Sequence, residues 1–457
     1  MMIDRLINIV GKDGVLTTPE DLAVYSYDGT FAEGTPEVVV LPRTTEQAAE
    51  IMKVAAETHM TVVPRGMGSG FAAGAVPITA GSIVVCFTRM NQILEIDTLN
   101  STVHVQAGVI TAALQDEVEK IGLFYPPDPS SNRHSTIGGN IACNAGGPRC
   151  LKYGVTGNYV LGLTVVLADG RILKTGGKPI KDVTGYNLNG LFTSSEGTLG
   201  LITEALLRLI ARPRYAKTAL AVFDSLDNAA RAVNAVLAGG IVPASLEIMD
   251  QTAITCIEES MRLGLQTDVE ASLIIETDGA DEATVIREIE TAGQACMETG
   301  ARMVKVAKTE EERADLWKAR RSISIALARR APNKLSEDIT VPRSAIPETV
   351  RSIREISRKY GLPVVIFGHA GDGNLHPSIL FNKRVPEDRD KVERIVPEIF
   401  GAALSAGGTL SGEHGIGVLK RPYFEQAVGP VSFEIQRRIK EALDPLNILN
   451  PGKMFPE

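Results

Sequence analysis

Cysteines are few in this chain of 457 residues, which has five, at positions 86, 143, 150, 256 and 296. Their number is odd, and no two form a Cys-x-x-Cys pair. The sequence therefore argues against a disulfide framework and against an iron–sulfur cluster held by this chain alone. We interpret each cysteine as a small apolar filler.

The chain also lacks an excess of positive charge and long apolar runs. The chain has 47 Lys and Arg against 55 Asp and Glu, a net charge of -8, and no basic run, so nucleic acid is not an expected partner. No apolar stretch approaches the roughly 18 residues of a membrane-spanning helix. The sequence thus predicts a cytoplasmic protein without a signal peptide or membrane span, and leaves open attachment to a membrane surface through a partner.

Two histidines flank a turn signal in residues 364–377. Asp372 and Gly373 stand between two apolar runs and tolerate the positive φ of a two-residue hairpin turn. With this turn, His369 would face His376 across the hairpin. Opposed Cβ atoms lie about 4.5–5.5 Å apart, which suits two imidazoles on one ion. The spacing predicts half of a metal site.

A further ligand is available in the glycine-rich bend 407–417, where Glu413 and His414 are adjacent. Two histidines and one glutamate with open positions are typical of a catalytic zinc or ferrous-iron site. His414 would then be available for proton transfer. The alternative is an ordinary polar pair on a hairpin beside a solvated loop. The combination of both segments favours the metal.

Three glycine-rich segments follow predicted strands. Residues 64–74 offer closely spaced backbone N–H groups suited to a pyrophosphate, but they match neither a Walker A loop nor a dinucleotide fingerprint. We interpret residues 126–147 as an extended, amide-rich wall for a flat heterocycle. Residues 194–203 let the backbone approach closely before a buried strand. Plain glycine-rich turns between strands are the alternative for all three.

The order of predicted elements divides the chain near residues 211–214. Short strands alternate with helices before this point, and Thr44 followed by Gln47 predicts a capped helix that ends near His59. A second alternating series follows it and favours an α+β layer with one helical face.

Taken together, these segments resemble a known family. The loop 64–74, the segments 135–147 and 196–200 resemble the flavin domain of the vanillyl-alcohol-oxidase type. The His-x6-His hairpin, Gly412–Gly415 and Asn450-Pro451-Gly452-Lys453 resemble the C-terminal domain of FAD-linked 2-hydroxyacid dehydrogenases, above all glycolate oxidase flavoprotein subunits and D-lactate dehydrogenases.

The resemblance implies an α+β fold with a vanillyl-alcohol-oxidase/PCMH-type flavin domain. Residues 1–212 would form this FAD-binding domain of two α/β subdomains, and residues 213–415 a ferredoxin-like α+β cap domain that holds the substrate and the metal. Residues 416–457 would return to the FAD domain.

The resemblance also assigns roles to individual residues. His369, His376 and Glu413 match the metal ligands, zinc or Fe(II), and His414 matches the general base. Asn374 matches a substrate contact. Arg320 matches the arginine that pairs with the substrate carboxylate, with Arg321 as an adjacent rival. A lysine of hydroxyglutarate dehydrogenases has no clean match, since Ser336 stands there and Lys334 lies two residues away, which weakens the case for a dicarboxylate.

FAD should be bound non-covalently, because Ser69 stands where relatives with a covalent flavin on this loop have a histidine. The positions implied to contact FAD are Arg65, Gly66, Met67, Gly68, Ser69, Gly70, Asp128, Pro129, Ser130, Thr136, Gly138, Gly139, Asn140, Asn144, Gly146, Glu196, Gly200 and Ile202.

The expected reaction is FAD- and metal-dependent oxidation of a small D-2-hydroxy acid, D-lactate or glycolate, to the 2-oxo acid. Electrons would pass to a partner such as an electron-transferring flavoprotein or an iron–sulfur subunit. Three alternatives stay open at this stage: a D-2-hydroxyglutarate dehydrogenase, a flavin oxidase without metal, and an electron-relay subunit without hydroxyacid chemistry of its own.

Overall fold

The computed structural model describes residues 2–456 and contains both helices and antiparallel sheets, which confirms the α+β class. The helices are α1 (Met2–Val10), α2 (Pro19–Val24), α3 (Thr45–Thr58), α4 (Thr111–Glu119), α5 (Ile137–Cys143), α6 (Cys150–Tyr153), α7 (Leu188–Phe192), α8 (Leu226–Ala238), α9 (Gln251–Met261), α10 (Glu282–Glu298), α11 (Glu310–Arg321), α12 (Ile323–Leu327), α13 (Ile346–Tyr360), α14 (Pro386–Ser405), α15 (Arg421–Val428) and α16 (Pro430–Leu443).

The strands are β1 (Val15–Leu16), β2 (Val38–Val40), β3 (Val62–Arg65), β4 (Ile83–Cys86), β5 (Ile93–Asp97), β6 (Thr102–Gln106), β7 (Leu123–Phe124), β8 (Val160–Val166), β9 (Ile172–Gly176), β10 (Leu201–Arg208), β11 (Ile210–Ala211), β12 (Tyr215–Phe223), β13 (Ser245–Asp250), β14 (Ala271–Gly279), β15 (Ala301–Val306), β16 (Asn333–Ser336), β17 (Ile339–Thr340), β18 (Val364–His369) and β19 (Asn374–Phe381). Single turns of 3₁₀ helix occupy Lys12–Gly14, Phe87–Arg89, Thr156–Tyr159 and Arg343–Ala345.

Contacts within the chain group it into two units. The first unit comprises residues 2–146, 155–212 and 413–456, and the second comprises 147–154 and 213–412. The predicted domain ranges 1–212, 213–415 and 416–457 remain a prediction. The short segment 147–154 joins the second unit because Lys152 and Tyr153 donate hydrogen bonds to the buried Asp278, at 2.6 and 2.8 Å.

The first unit contains a small sheet in the order β1-β2-β4-β3, with β2, β4 and β3 parallel. Helix α3 packs on it and begins as predicted: Thr44 Oγ1 accepts the N–H of Gln47, and Gln47 in turn accepts the N–H of Arg43. The helix ends at His59, which has a left-handed φ of 54°. Its buried side chains Ile51 and Met52 belong to a core that also includes Leu449.

A second sheet of the first unit is antiparallel, in the order β5-β6-β10-β8-β9. Strands β5 and β9 are the edge strands of this sheet and expose much of their surface, so they lack an apolar signal in the sequence. Tyr125, Ile137 and Phe192 are buried in its core.

The C-terminal tail lies against the first sheet of the first unit. Val62 and Leu449 form a parallel bridge, and the N–H of Asn450 donates to the Val62 carbonyl at 2.7 Å. The buried amine of Lys440 donates to the carbonyls of Thr198 and Leu449 and to the Asp444 carboxylate. The tail is thus part of the first unit.

The second unit is built on one sheet in the order β15-β12-β14-β13-β18-β19-β16, with β17 paired to β19. Its first four strands in chain order, β12 to β15, occupy the order 4-1-3-2, with α8 and α10 following the first and third of them. This is the antiparallel ferredoxin-like arrangement. Among residues 2–456, no helix combines the length and apolar character needed to cross a bilayer.

Candidate active site

The glycine-rich loop after β3 has backbone N–H groups that are available to a ligand. Within residues 2–456, the backbone N–H groups of residues 67–70 have no hydrogen-bond acceptor in the protein. Gly68 has a φ of 68°, and a Cβ there would lie 2.2 Å from Arg65 Nη2. Arg65 itself supports the loop by donating to the carbonyls of Tyr27 and Ala75. The loop therefore presents unsatisfied donors, as a phosphate site requires.

The expected amide wall is only partly extended. Residues 137–143 form helix α5, which was predicted as extended chain; Thr136 Oγ1 accepts the N–H of Gly139 and starts the helix. The helix needs a glycine at position 138, since a Cβ there would lie 2.7 Å from the Cβ of Ala107. Close packing thus outweighs low helix propensity.

The side-chain amides of this segment are engaged within the protein. Asn140 Nδ2 donates to Thr111 Oγ1 at 2.7 Å, and Asn144 Oδ1 accepts the N–H of Gly157 at 2.8 Å. These bonds fix the orientation of both side chains. Asp128 is buried and accepts a hydrogen bond from Asn132. The neighbouring positions Pro129, Ser130 and Gly146 lie in irregular chain.

The loop before β10 also belongs to the first unit and is closely packed within it. A Cβ at Gly200 would lie 2.5 Å from Val165 Cγ1, and Ile202 is buried in the core. Asn450, in the tail, donates to the carbonyls of Gly74 and Glu196 at 3.0 and 2.7 Å. Its buried Oδ1 has no hydrogen-bond partner among the described residues. Sequence reasoning missed Asn450 as a site residue, although it had singled out its motif.

These observations fit a bound FAD. A run of free backbone donors follows a buried strand, a glycine is required at Gly68, and an unpaired acceptor on Asn450 belongs to the same unit. His414 also belongs to this unit, with its ring tilted against that of Phe71 at a centroid distance of 5.1 Å.

The histidine hairpin of the second unit has a different register from the predicted one. His369 is opposite Asn374, and His376 is opposite Phe367, so residues 370–373 form a four-residue turn. The predicted pairing of His369 with His376 is therefore wrong. The turn is wider because the N–H of Gly371 bonds to the Leu246 carbonyl on β13. A shift of two residues keeps both imidazoles on one face, and their rings meet edge to face at 5.2 Å.

A buried carboxylate supports the hairpin from β13. Glu247 is completely buried; its carboxylate accepts from Arg320 Nε at 2.6 Å and lies 2.8 Å from His369 Nδ1. Burial alone would raise the pKa of Glu247, but attraction to Arg320 and His369 outweighs burial and lowers it. Arg320 also lies over the ring of Phe367, while the rival Arg321 is exposed and lies over Trp317.

A second buried acid organises the other strand of the hairpin. Asp338 accepts from Asn374 Nδ2 at 2.6 Å and, through its other oxygen, from Ser411 Oγ at 2.6 Å and the N–H of Gly412 at 3.0 Å. His376 Nδ1 lies 3.9 Å from the same carboxylate. Sequence reasoning missed both Glu247, on β13, and Asp338, between β16 and β17, because each is a single acid remote in sequence from the histidines.

The donor chemistry of the two histidines fits a divalent metal. With Nδ1 of His369 donating to Glu247, its lone pair is on Nε2, the arrangement that carboxylates impose on metal-binding histidines. Glu413 directly follows Gly412, which Asp338 holds. The metal ligands remain a prediction.

The fold and the cofactor loop define a class, the flavoprotein oxidoreductases. The model of FAD linked oxidases, C-terminal domain, matches residues 212–454, and the FAD binding domain matches residues 36–176. The chain belongs to the family of FAD-linked oxidases, and it is an FAD-linked oxidoreductase.

Several named proteins are similar over nearly the whole chain. Glycolate oxidase subunit GlcD of Bacillus subtilis is 47% identical over 99% of this chain and 96% of its own length. D-lactate dehydrogenase of Anaerostipes hadrus is 35% identical over 99% and 97%. D-2-hydroxyglutarate dehydrogenase of Stutzerimonas stutzeri is 35% identical over 99% and 98%.

Solved structures confirm the fold. p-Cresol methylhydroxylase superposes with a TM-score of 0.83 at 18% identity, over 100% of this chain and 96% of that chain. 4-Ethylphenol oxidase from Gulosibacter chungangensis gives 0.81 at 20% identity, over 100% and 97%. At these identities the likeness concerns architecture alone.

Proposed function

We propose that this chain oxidises a small D-2-hydroxy acid, D-lactate or glycolate, to the 2-oxo acid with FAD and a divalent metal. The observation that carries the proposal is the buried group of Glu247, Arg320 and His369, which places a cation and an imidazole together in the second unit. These are the groups needed to bind a carboxylate and a neighbouring hydroxyl. The names of the similar proteins support the same substrate class.

The proposed metal ligands are His369, His376 and Glu413, and the ion would be zinc or Fe(II). Such an ion supplies Lewis acidity, which lowers the pKa of a substrate hydroxyl. Glu247 contributes by holding the tautomer of His369, and Asp338 by lying next to His376 and holding Gly412.

Arg320 would bind the substrate carboxylate. Its Nε is held by Glu247, which fixes the plane of the guanidinium, and the terminal nitrogens would make the forked contact with the substrate carboxylate. Asn374 has a buried Oδ1 without a hydrogen-bond partner among residues 2–456, so this oxygen can accept from a substrate hydroxyl. Its amide nitrogen is engaged by Asp338, which sets the orientation of the side chain.

His414 would accept the hydroxyl proton. FAD, when bound, supplies the acceptor for the hydride that leaves C2 of the substrate. The imidazole of His414 lies against the ring of Phe71 in the first unit. Electrons would then leave to a partner protein, an electron-transferring flavoprotein or an iron–sulfur subunit; the description of the Bacillus subtilis relative as a subunit supports such a partner.

The experiment is an anaerobic titration of the purified flavoprotein with D-lactate, L-lactate, glycolate and D-2-hydroxyglutarate, with and without a chelator. We expect rapid flavin bleaching by D-lactate or glycolate, loss of bleaching after chelation, and its return with zinc or Fe(II). Bleaching that survives complete metal removal would contradict the metal, and no bleaching by any of the acids would contradict the hydroxyacid assignment.

A second candidate substrate is D-2-hydroxyglutarate, which would need a cation for its distal carboxylate. Lys334 is on β16 on the same face as Ser336, and its amine donates to Ser324 Oγ at 2.7 Å. Bleaching by D-2-hydroxyglutarate that is lost in Lys334→Met, with D-lactate unaffected, would favour this candidate.

A further inference from the structure

The segment after His414 is held by a single buried carboxylate of the first unit. Glu196 Oε1 accepts the N–H of Ile416, and Oε2 accepts the N–H of Gly417, both at 2.7 Å. Glu196 is 6% exposed. Both carboxylate oxygens therefore bind the backbone of residues 416–417.

The glycines of this segment are required by the fit. Gly415 has a φ of 86°, and a Cβ there would lie 2.8 Å from Glu196 Oε1. Gly417 has a φ of 50°, and its Cβ would lie 1.9 Å from the carbonyl oxygen of Ala72. The N–H of Val418 donates to this same carbonyl at 2.9 Å. The segment is thus fixed both to Glu196 and to the loop that follows β3.

Glu196 keeps its charge through specific partners. Burial raises the pKa of Glu196 to about 6, against the two amide donors and the nearby amines of Lys420 and Lys453, which favour the carboxylate. Lys420 and Lys453 are both almost completely buried. Each hydrogen bond to a charged carboxylate is about twice as strong as one between neutral groups. The two bonds from Glu196 are therefore suited to hold the loop in one position.

We infer that Glu196 is a positioning residue for the reaction: by holding residues 415–417 it fixes the imidazole of His414 against Phe71. The inference rests on the proposed role of His414 as the base. Only Gly415 separates His414 from the held amides, so a shift of the backbone there moves the imidazole directly. A misplacement of about 1 Å can cost on the order of 10²-fold in rate.

The test compares Glu196→Ala and Glu196→Gln with the wild-type holoprotein. Glutamine keeps one acceptor but turns a donor toward the other N–H, whereas alanine removes both acceptors. We expect the limiting rate of anaerobic flavin reduction by D-lactate or glycolate to fall about 10-fold in Glu196→Gln and about 10²-fold in Glu196→Ala. FAD content and the affinity for FAD should stay within about 2-fold of the wild type.

Hydrogen exchange measured by mass spectrometry provides a readout that does not depend on activity. The amides of Ile416 and Gly417 should exchange at least 10-fold faster in Glu196→Ala than in the wild type. The matched control is Glu204→Gln, which removes a carboxylate of the same unit that bonds Thr164 and His104. This control should change neither the exchange of residues 410–420 nor the reduction rate.

The outcomes separate the inference from the proposed function. Unchanged hydrogen exchange at residues 416–417 in Glu196→Ala would show that the Glu196 carboxylate does not hold these two amides. Faster exchange with wild-type reduction per bound FAD would show a merely structural contact and overturn the positioning role. If the wild type is not reduced by any of the acids, the proposed function fails, and the exchange data still report whether Glu196 holds the segment. If Glu196→Ala does not fold, Glu196→Gln decides by the same two measurements.

Discussion

The loop after β3 in the first unit and the hairpin of β18 and β19 in the second are built on opposite principles. The loop at residues 66–75 is made of main chain, with backbone N–H groups that have no acceptor in the described protein and a glycine at Gly68 where no side chain fits. The hairpin is made of buried charge, with Glu247 between Arg320 and His369.

This difference predicts opposite sensitivities. The loop should tolerate loss of side chains but not the addition of a Cβ, because its function lies in the exposed backbone. The hairpin should tolerate changes of volume better than loss of one charge, because an uncompensated ion in its interior is costly. Replacements of single residues in each region can test both statements.

The largest expected effect is on His414, the residue that we propose accepts the substrate's hydroxyl proton. His414→Ala should bind FAD normally and reduce the limiting rate of flavin reduction by about 10²–10⁴-fold, the usual contribution of a general base. Anaerobic stopped-flow measurement of flavin absorbance checks this. His104→Ala is the matched control, since His104 is in the same unit but bonds Glu204. A wild-type rate in His414→Ala would remove the imidazole from this role.

The next effect is on the stability of the second unit. Glu247→Gln should lower its free energy of unfolding by about 3–5 kcal/mol, because Arg320 loses its buried counter-charge. The fluorescence of Trp317, the chain's one tryptophan, reports on this unit during denaturation by urea. Glu312→Gln, an exposed acid bonded to Lys305, should change stability by about 0.5 kcal/mol or less. Equal effects of the two variants would contradict the statement that the hairpin region depends on the buried charge of Glu247.

Local signals in the sequence were enough to predict the first region. The Thr44 cap, the strand before Pro64 and the glycine loop each depend on neighbouring residues, and the structure confirms them. The resemblance to a flavoprotein family supplied the overall architecture. Helix α5 was missed, since one of its two glycines, Gly138, is required by packing against Ala107, which is remote in sequence.

The second region was predicted less completely, for a physical reason. The Asp372-Gly373 signal indicated a hairpin, but the bond from Gly371 to Leu246 on β13 widened the turn. Both histidines still share a face because the shift is even. Glu247 and Asp338 could not be found, since no local pattern marks an acid whose partners come from other strands.

A smaller effect contrasts two buried acids of β13. Asp250 accepts only backbone N–H groups, from Ala253 and Ile366, and burial raises its pKa from 3.8 to about 6. Because the folded-state pKa is the higher one, the stability that protonated Asp250 provides is present near pH 4 and lost as the pH rises through about 6. The stability difference between wild type and Asp250→Asn should fall by about 2 kcal/mol between about pH 4 and pH 7.

Urea denaturation followed by Trp317 at both pH values checks this prediction. Glu247, whose pKa is lowered by Arg320 and His369 despite burial, should show the opposite sign: its contribution is present above about pH 4.5 and lost in acid. A difference for Asp250→Asn that does not change with pH would mean that this carboxyl titrates at its ordinary value in the folded chain.

The smallest effect tests the backbone design of the loop. Gly68→Ala adds a Cβ that would lie 2.2 Å from Arg65 Nη2, at a φ of 68°, so the N–H groups of the loop must shift. We expect the affinity for FAD to fall about 10-fold, or about 1.4 kcal/mol, with an unchanged Trp317 unfolding transition. Gly122→Ala is the matched control: its φ of 78° imposes similar strain with no neighbour within 4 Å, so it should bind FAD as the wild type does. If both variants bind FAD equally well, the loop does not hold the cofactor through its backbone. The proposed difference between this loop and the charged hairpin would then be wrong for the loop.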